Sequence, residues 1–144
     1  MIDSISPYFL AIIAAWFLSH AAKYVIARIR GEQLDFTHQI FVSGGMPSSH
    51  AATALAVWVV ILLKDGALSG LFGLATLVVL IVGYDAVKVR RSSGEQGAAI
   101  ATLIKETKSK ARIPRAARGH TPLEVFVGGV FGLIVGIVVF IATK

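Results

Sequence analysis

Four apolar runs, at residues 7–29, 48–63, 67–84 and 121–142, leave this chain few ways to fold. At about 1.5 Å rise per residue, some twenty helical residues cross a hydrocarbon layer ~30 Å thick. Inside that layer a helix satisfies its own backbone polar groups, and an open strand does not. The run at 48–63 is short for a full crossing unless its polar start is counted. Hydrophobic residues make up 56% of the 144 and charged ones 15%, a balance that belongs to membrane rather than soluble domains. The expectation is an all-α integral membrane four-helix bundle forming a single domain over 1–144.

Between the last two runs lies a basic connection, 85–120. Within it "GEQGAAIATLIKETKSK" sets Ala98, Ala99, Ile100, Leu103 and Ile104 among polar neighbours, the pattern of an additional amphipathic helix lying at the membrane interface. The first run follows Asp3 with no basic leader region, so it reads as a retained helix. In the last run Gly128, Gly132 and Gly136 form a ladder of small residues suited to close helix packing, and no chemistry is assigned to them. The absence of cysteine removes thiolate chemistry and cysteine-ligated metals.

Charge placement predicts an orientation. Of the fourteen Lys and Arg residues, Lys23, Arg28 and Arg30 end the first run and nine fall within 85–120, whereas Lys64 and Lys144 lie on the opposite side. By the positive-inside tendency both termini face out and the two long connections face in. A bacterial cytoplasmic membrane is expected, with the polar helix ends on its cytoplasmic side.

Those polar ends hold most of the chemistry. Lys23 and Arg30 close the first run, "GGMPSSH" opens the second, Asp85 with Arg90 and Arg91 closes the third, and His120 with Glu124 opens the fourth. Ionisable groups at membrane depth are costly, so each calls for a function or a partner. A helix start offers free N–H groups and the positive end of a dipole, and Ser48 and Ser49 add hydroxyls; with cations nearby this is a cradle for a phosphate-like oxyanion. The plainer reading of "PSSH" is an N-cap. His120 and Glu124, four apart, share a helical face, where the carboxylate can hold one ring nitrogen and leave the other free as nucleophile or base. The plainer reading of "GHTPLEV" is likewise a cap, with Thr121 or His120 capping and Glu124 serving the helix start.

Taken together, these residues resemble the divergent branch of the type 2 phosphatidic acid phosphatase (PAP2) superfamily, related to acid phosphatases and vanadium haloperoxidases. Lys23, six residues and Arg30 look like its first motif, with Gly31 in place of proline. Pro47, Ser48, Ser49 and His50 look like its second, with serine replacing glycine. His120 and Glu124 look like the His-to-Asp helix of its third, with Glu for Asp; the motif's arginine has no in-register match, which leaves Arg90, Arg91 and Arg115 as candidates.

The resemblance implies a metal-independent lipid phosphatase with no cofactor. His120 would attack phosphorus, Glu124 would orient it, and His50 would protonate the leaving alkoxide and then activate water. Lys23, Arg30, Ser48, Ser49 and one of the three arginines would bind the phosphoryl oxygens. Asp85 stands outside the motifs, either paired with a neighbouring cation or supporting the phosphate-binding arginine. The partners expected are a lipid phosphate substrate and membrane lipids, with a homo-oligomer open and no nucleic acid.

A phosphatidylglycerophosphate- or phosphatidate-like monoester suits a cytoplasmic site, and a polyprenyl (di)phosphate is the alternative. Three rivals remain: a zinc site, although no two histidines have helical ligand spacing; an intramembrane serine hydrolase using Ser48 or Ser49; and a non-catalytic lipid-phosphate binding or transport protein. His20 and His38 read as structural or interfacial, and Trp16, Tyr24 and Trp58 as lipid- or interface-facing.

Overall fold

The computed structural model describes residues 5–29, 31, 45–114 and 119–144. Arg30, His38 and Arg115 lie outside them. The described residues form helices and no strand: α1 (Pro7–Ile29), α2 (Ser49–Asp65), α3 (Gly70–Tyr84), a π-helical turn (Asp85–Val89), α4 (Arg90–Glu106) and α5 (Pro122–Ala142).

Local chemistry sets the helix ends. Ser48 and Ser69 are N-caps whose hydroxyls accept from the amides of Ala51 at 3.5 Å and Phe72 at 3.2 Å. Ser69 therefore starts α3 three residues later than the apolar run at 67–84 implies. Gly66, at φ +82°, ends α2 in a conformation that glycine adopts without strain, and its N–H returns to the Leu62 carbonyl.

The third helix does not stop at Tyr84. Charge returns there, but no proline interrupts the backbone, and α3 passes through the π turn into α4 as one helical path from Gly70 to Glu106. The amphipathic segment of the basic connection is thus a continuation of a membrane helix.

Three helical segments are long and apolar enough to cross a membrane: Pro7–Ile29, Gly70–Glu106 and Pro122–Ala142. The shorter α2 packs against α1, α3 and α5 and buries Ala51, Ala52, Ala54, Ala56, Val59, Val60 and Ile61. Ala11 and Ala15 of α1, Ala56 and Val60 of α2, and Val135 and Val139 of α5 make the core. The outward side chains, among them Phe9, Phe17, Leu80, Phe126 and Ile141, are apolar, as a lipid-facing surface requires.

Trp58, expected to face lipid or the interface and half-buried here, also has an internal partner. Its indole N–H donates to Thr76 Oγ1 at 2.9 Å and its ring lies 5.1 Å from that of Phe72, so it joins α2 to α3. Burial of one edge of the indole favours such an internal partner for the N–H.

The α2–α5 contact is set by matched four-residue steps. Gly128, Gly132 and Gly136 lie against the backbone at Ser48, Ala52 and Ala56, and a Cβ on Gly132 would run into the Ala52 carbonyl. Gly132→Ala is expected to lower stability by about 1–3 kcal/mol, the range for overpacking a tight contact. Gly73→Ala, where a Cβ meets nothing within 4 Å, should be neutral or slightly stabilising. Thermal unfolding of the two variants in detergent checks the contrast.

Candidate active site

The start of α5 is built around one carboxylate oxygen. Thr121 caps the helix with its hydroxyl on the Glu124 amide at 3.3 Å, while Glu124 Oε2 accepts the Thr121 amide at 2.9 Å, a reciprocal capping box followed by Pro122 at the first helical position. The same Oε2 lies 3.3 Å from His120 Nδ1. A carboxylate only accepts, so Nδ1 carries the proton in this contact and Nε2 is left with its lone pair. The capping role and the histidine-orienting role coexist in Glu124.

Two backbone bonds join this helix start to its neighbours. Ser48 N–H donates to the Glu124 carbonyl at 3.1 Å, which fixes the "PSSH" turn beside α5. His120 N–H donates to the Ala86 carbonyl at 3.2 Å, which fixes the histidine against the π turn. Gly119 makes that approach feasible, since a Cβ there would meet Arg91 Cα and N at 2.5 Å. Neither Ala86 nor Gly119 stands out by residue type; the only signal in the sequence is a glycine directly before His120.

The second half of the site comes from α1, α2 and the π turn. His50 lies in electrostatic range of Arg90, His120, Lys23 and Asp85, and His120 in range of Lys23, Glu124 and Arg90. Ser48 and Ser49 are buried, and His50 is solvent-accessible. Asp85 Oδ2 accepts from Arg90 Nε at 2.5 Å. Arg91 instead pairs with Glu95 at 3.1 Å on the exposed side of α4.

Burial singles out the same residues. The buried polar or charged side chains among the described residues are Ser19, Lys23, Ser48, Ser49 and His120. Ser19 is satisfied by the Trp16 carbonyl at 2.9 Å, which leaves four, all at these helix ends. Lys23 is only 5% exposed, yet it forms no hydrogen bond or ion pair among the described residues. A buried ammonium with no ion pair, on which the Glu124 carboxylate acts only from a distance, has room for a closer anion.

Burial is also the main influence that pushes the His120 imidazole below its ordinary value. The Lys23 charge acts in the same direction, and the Glu124 contact opposes both. The ring is therefore neutral at pH 7.

Fold and geometry define an all-α integral membrane protein in which, among the described residues, every buried polar or charged side chain but Ser19 gathers at one set of helix ends. The model of the divergent PAP2 family matches residues 5–135, and the chain belongs to that family. The uncharacterized membrane protein YuiD of Bacillus subtilis (strain 168) is 32% identical over 144 residues, with 90% of each chain covered. No solved structure matches.

Proposed function

We propose that this protein is a metal-independent lipid phosphatase that hydrolyses a phosphomonoester through a phosphohistidine. The observation that carries this reading is the buried Lys23, with no ion pair among the described residues, in electrostatic range of a neutral histidine held through its Nδ1 by Glu124. An anion-poised cation and an oriented nucleophile are together what phosphoryl transfer needs, because positioning and charge stabilisation supply most of its catalysis.

His120 Nε2 attacks phosphorus as the bond to the lipid oxygen breaks, and His50, which burial and nearby cations keep neutral until a phosphate dianion binds beside it and favours its protonation, gives its proton to the leaving alkoxide. Glu124 stabilises the imidazolium-like charge that develops on His120. His50, now neutral, takes a proton from water; the hydroxide attacks phosphorus, the P–N bond breaks, and phosphate leaves with His120 restored. Solvent access to His50 allows it to exchange protons between steps. Lys23, Arg30, Ser48, the Ser49 amide and one arginine from Arg90, Arg91 and Arg115 hold the non-bridging oxygens.

A site at helix ends level with the membrane surface, flanked by a basic connection, favours an anionic lipid headgroup. With the basic connections facing the cytoplasm, the substrate is a phosphatidylglycerophosphate- or phosphatidate-like monoester.

Detergent-solubilised protein is expected to release inorganic phosphate from one of these lipids, to keep that activity in EDTA and to lose it to orthovanadate. Wild-type protein that releases none from phosphatidylglycerophosphate, phosphatidate or polyprenyl phosphate defeats the enzyme reading and favours a binding or transport role. Loss in EDTA restored by zinc would support the metal rival instead.

A further inference from the structure

Asp85 and Arg90 are five residues apart, a spacing that a regular α-helix does not bring together. At 3.6 residues per turn, five steps rotate a side chain by about 140° to a different face. The π turn between them winds more widely: the Arg90 N–H donates to the Asp85 carbonyl five residues back, and the side chains meet at 2.5 Å. Single π turns inside α-helices occur frequently at functional sites.

This turn also reaches the nucleophile. Its Ala86 carbonyl accepts the His120 N–H at 3.2 Å, and Arg91, at the junction with α4, has its backbone against Gly119. Arg90 lies in electrostatic range of both His50 and His120, while the next residue, Arg91, turns to Glu95. One irregular turn thus aligns a carboxylate with an arginine and anchors the backbone of His120.

We infer that Arg90 is the arginine that binds the phosphoryl oxygens, and that Asp85 is its positioning residue, brought into line by the π turn. This rests on the phosphate-site reading above. The Asp85 carboxylate takes the Arg90 Nε, which leaves the two terminal nitrogens of the guanidinium fork for two oxygens of one phosphoryl group. The ion pair is about one-third exposed, so its value lies in aiming the fork rather than in stability.

The test uses the full-length detergent-solubilised protein, with orthovanadate as the probe, read by thermal shift and by inhibition of phosphate release. Arg90→Ala is expected to weaken vanadate about 100-fold. Arg90→Lys, which keeps the charge but not the fork, should fall between it and wild type. Asp85→Asn should weaken vanadate about 10-fold while the unliganded melting temperature stays near wild type, and it should raise KM more than a purely structural contact would. Arg112→Ala, which removes the same charge from an exposed position, should bind vanadate as wild type does.

Coupling decides the positioning role: Asp85→Asn combined with Arg90→Ala should be no worse than Arg90→Ala alone. Full vanadate affinity in Arg90→Ala, or additive losses in the double variant, overturns the inference even if wild-type protein is an active phosphatase. Protein that turns over no lipid but binds vanadate through Arg90 defeats the hydrolase reading and upholds this one. Wild-type protein that binds no vanadate overturns both.

Discussion

The His120→Ala protein is expected to release phosphate at least about 10⁴-fold more slowly than wild type, because no other group can take over attack on phosphorus. The fold should survive. Glu124 Oε2 keeps its bond from the Thr121 amide and the Thr121 hydroxyl keeps the Glu124 amide, so the capping box that starts α5 does not depend on the imidazole. Ser48→Ala and Ser49→Ala should retain measurable turnover if, as proposed, these residues only hold phosphoryl oxygens; loss of all activity in either, with activity remaining in His120→Ala, returns the serine-hydrolase reading. Acid-labile radiolabel on wild-type protein quenched during turnover, absent from His120→Ala, checks the covalent step directly.

The same histidine sets a pH dependence. Its folded-state value lies below the ordinary 6.5, chiefly through burial, so acidification protonates the unfolded chain first. The His120 contribution to stability is therefore steady above about pH 6.5, falls as pH drops below it, and levels off below the depressed folded value. The nucleophilic form of His120 should persist somewhat below pH 6.5 before acid removes it, and a Glu124→Gln variant, which loses the charge opposing that depression, should push this acid limb lower still. The acid limb of kcat/KM in the two proteins is the measurement.

Legibility in the sequence divides by distance along the chain. "HTPLE" carries its own geometry: a proline at the first helical position and a glutamate three residues after threonine specify the cap, and the four-residue step sets Glu124 beside His120. The glycine ladder of α5 likewise points to close packing, although not to Ser48, Ala52 and Ala56 as the surface it meets.

What fails to show is whatever depends on a helix departing from regularity or on contact between distant segments. The π turn has no proline or other marker, so the return of charge at Asp85 reads as a helix end when the backbone continues to Glu106. A regular helix from Asp85 onward gives no reason to prefer Arg90 to Arg91, and that choice depends on the extra residue in the turn. The internal partner of Trp58 does not show because Thr76 lies on another helix.

Lys23→Met should separate stability from function, with the two moving in opposite directions. An ammonium buried in the bundle with no ion pair among the described residues carries a desolvation cost of several kcal/mol, offset in part by Glu124, the carboxylate acting on it. Methionine of similar length fills the same space without that cost, so the unliganded protein should gain about 1–4 kcal/mol, the range seen when buried charge is replaced by packed apolar side chains. Phosphate release should fall about 10²–10³-fold, the loss typical for one stabilising group around a reacting oxyanion. Vanadate, which stabilises wild type by binding only the folded state, should raise the melting temperature of the variant much less. A structural lysine gives the reverse pattern, with lower stability and unchanged vanadate binding. That result would remove the observation on which the phosphatase reading rests, because the cation would then be held by the fold rather than held ready for a substrate.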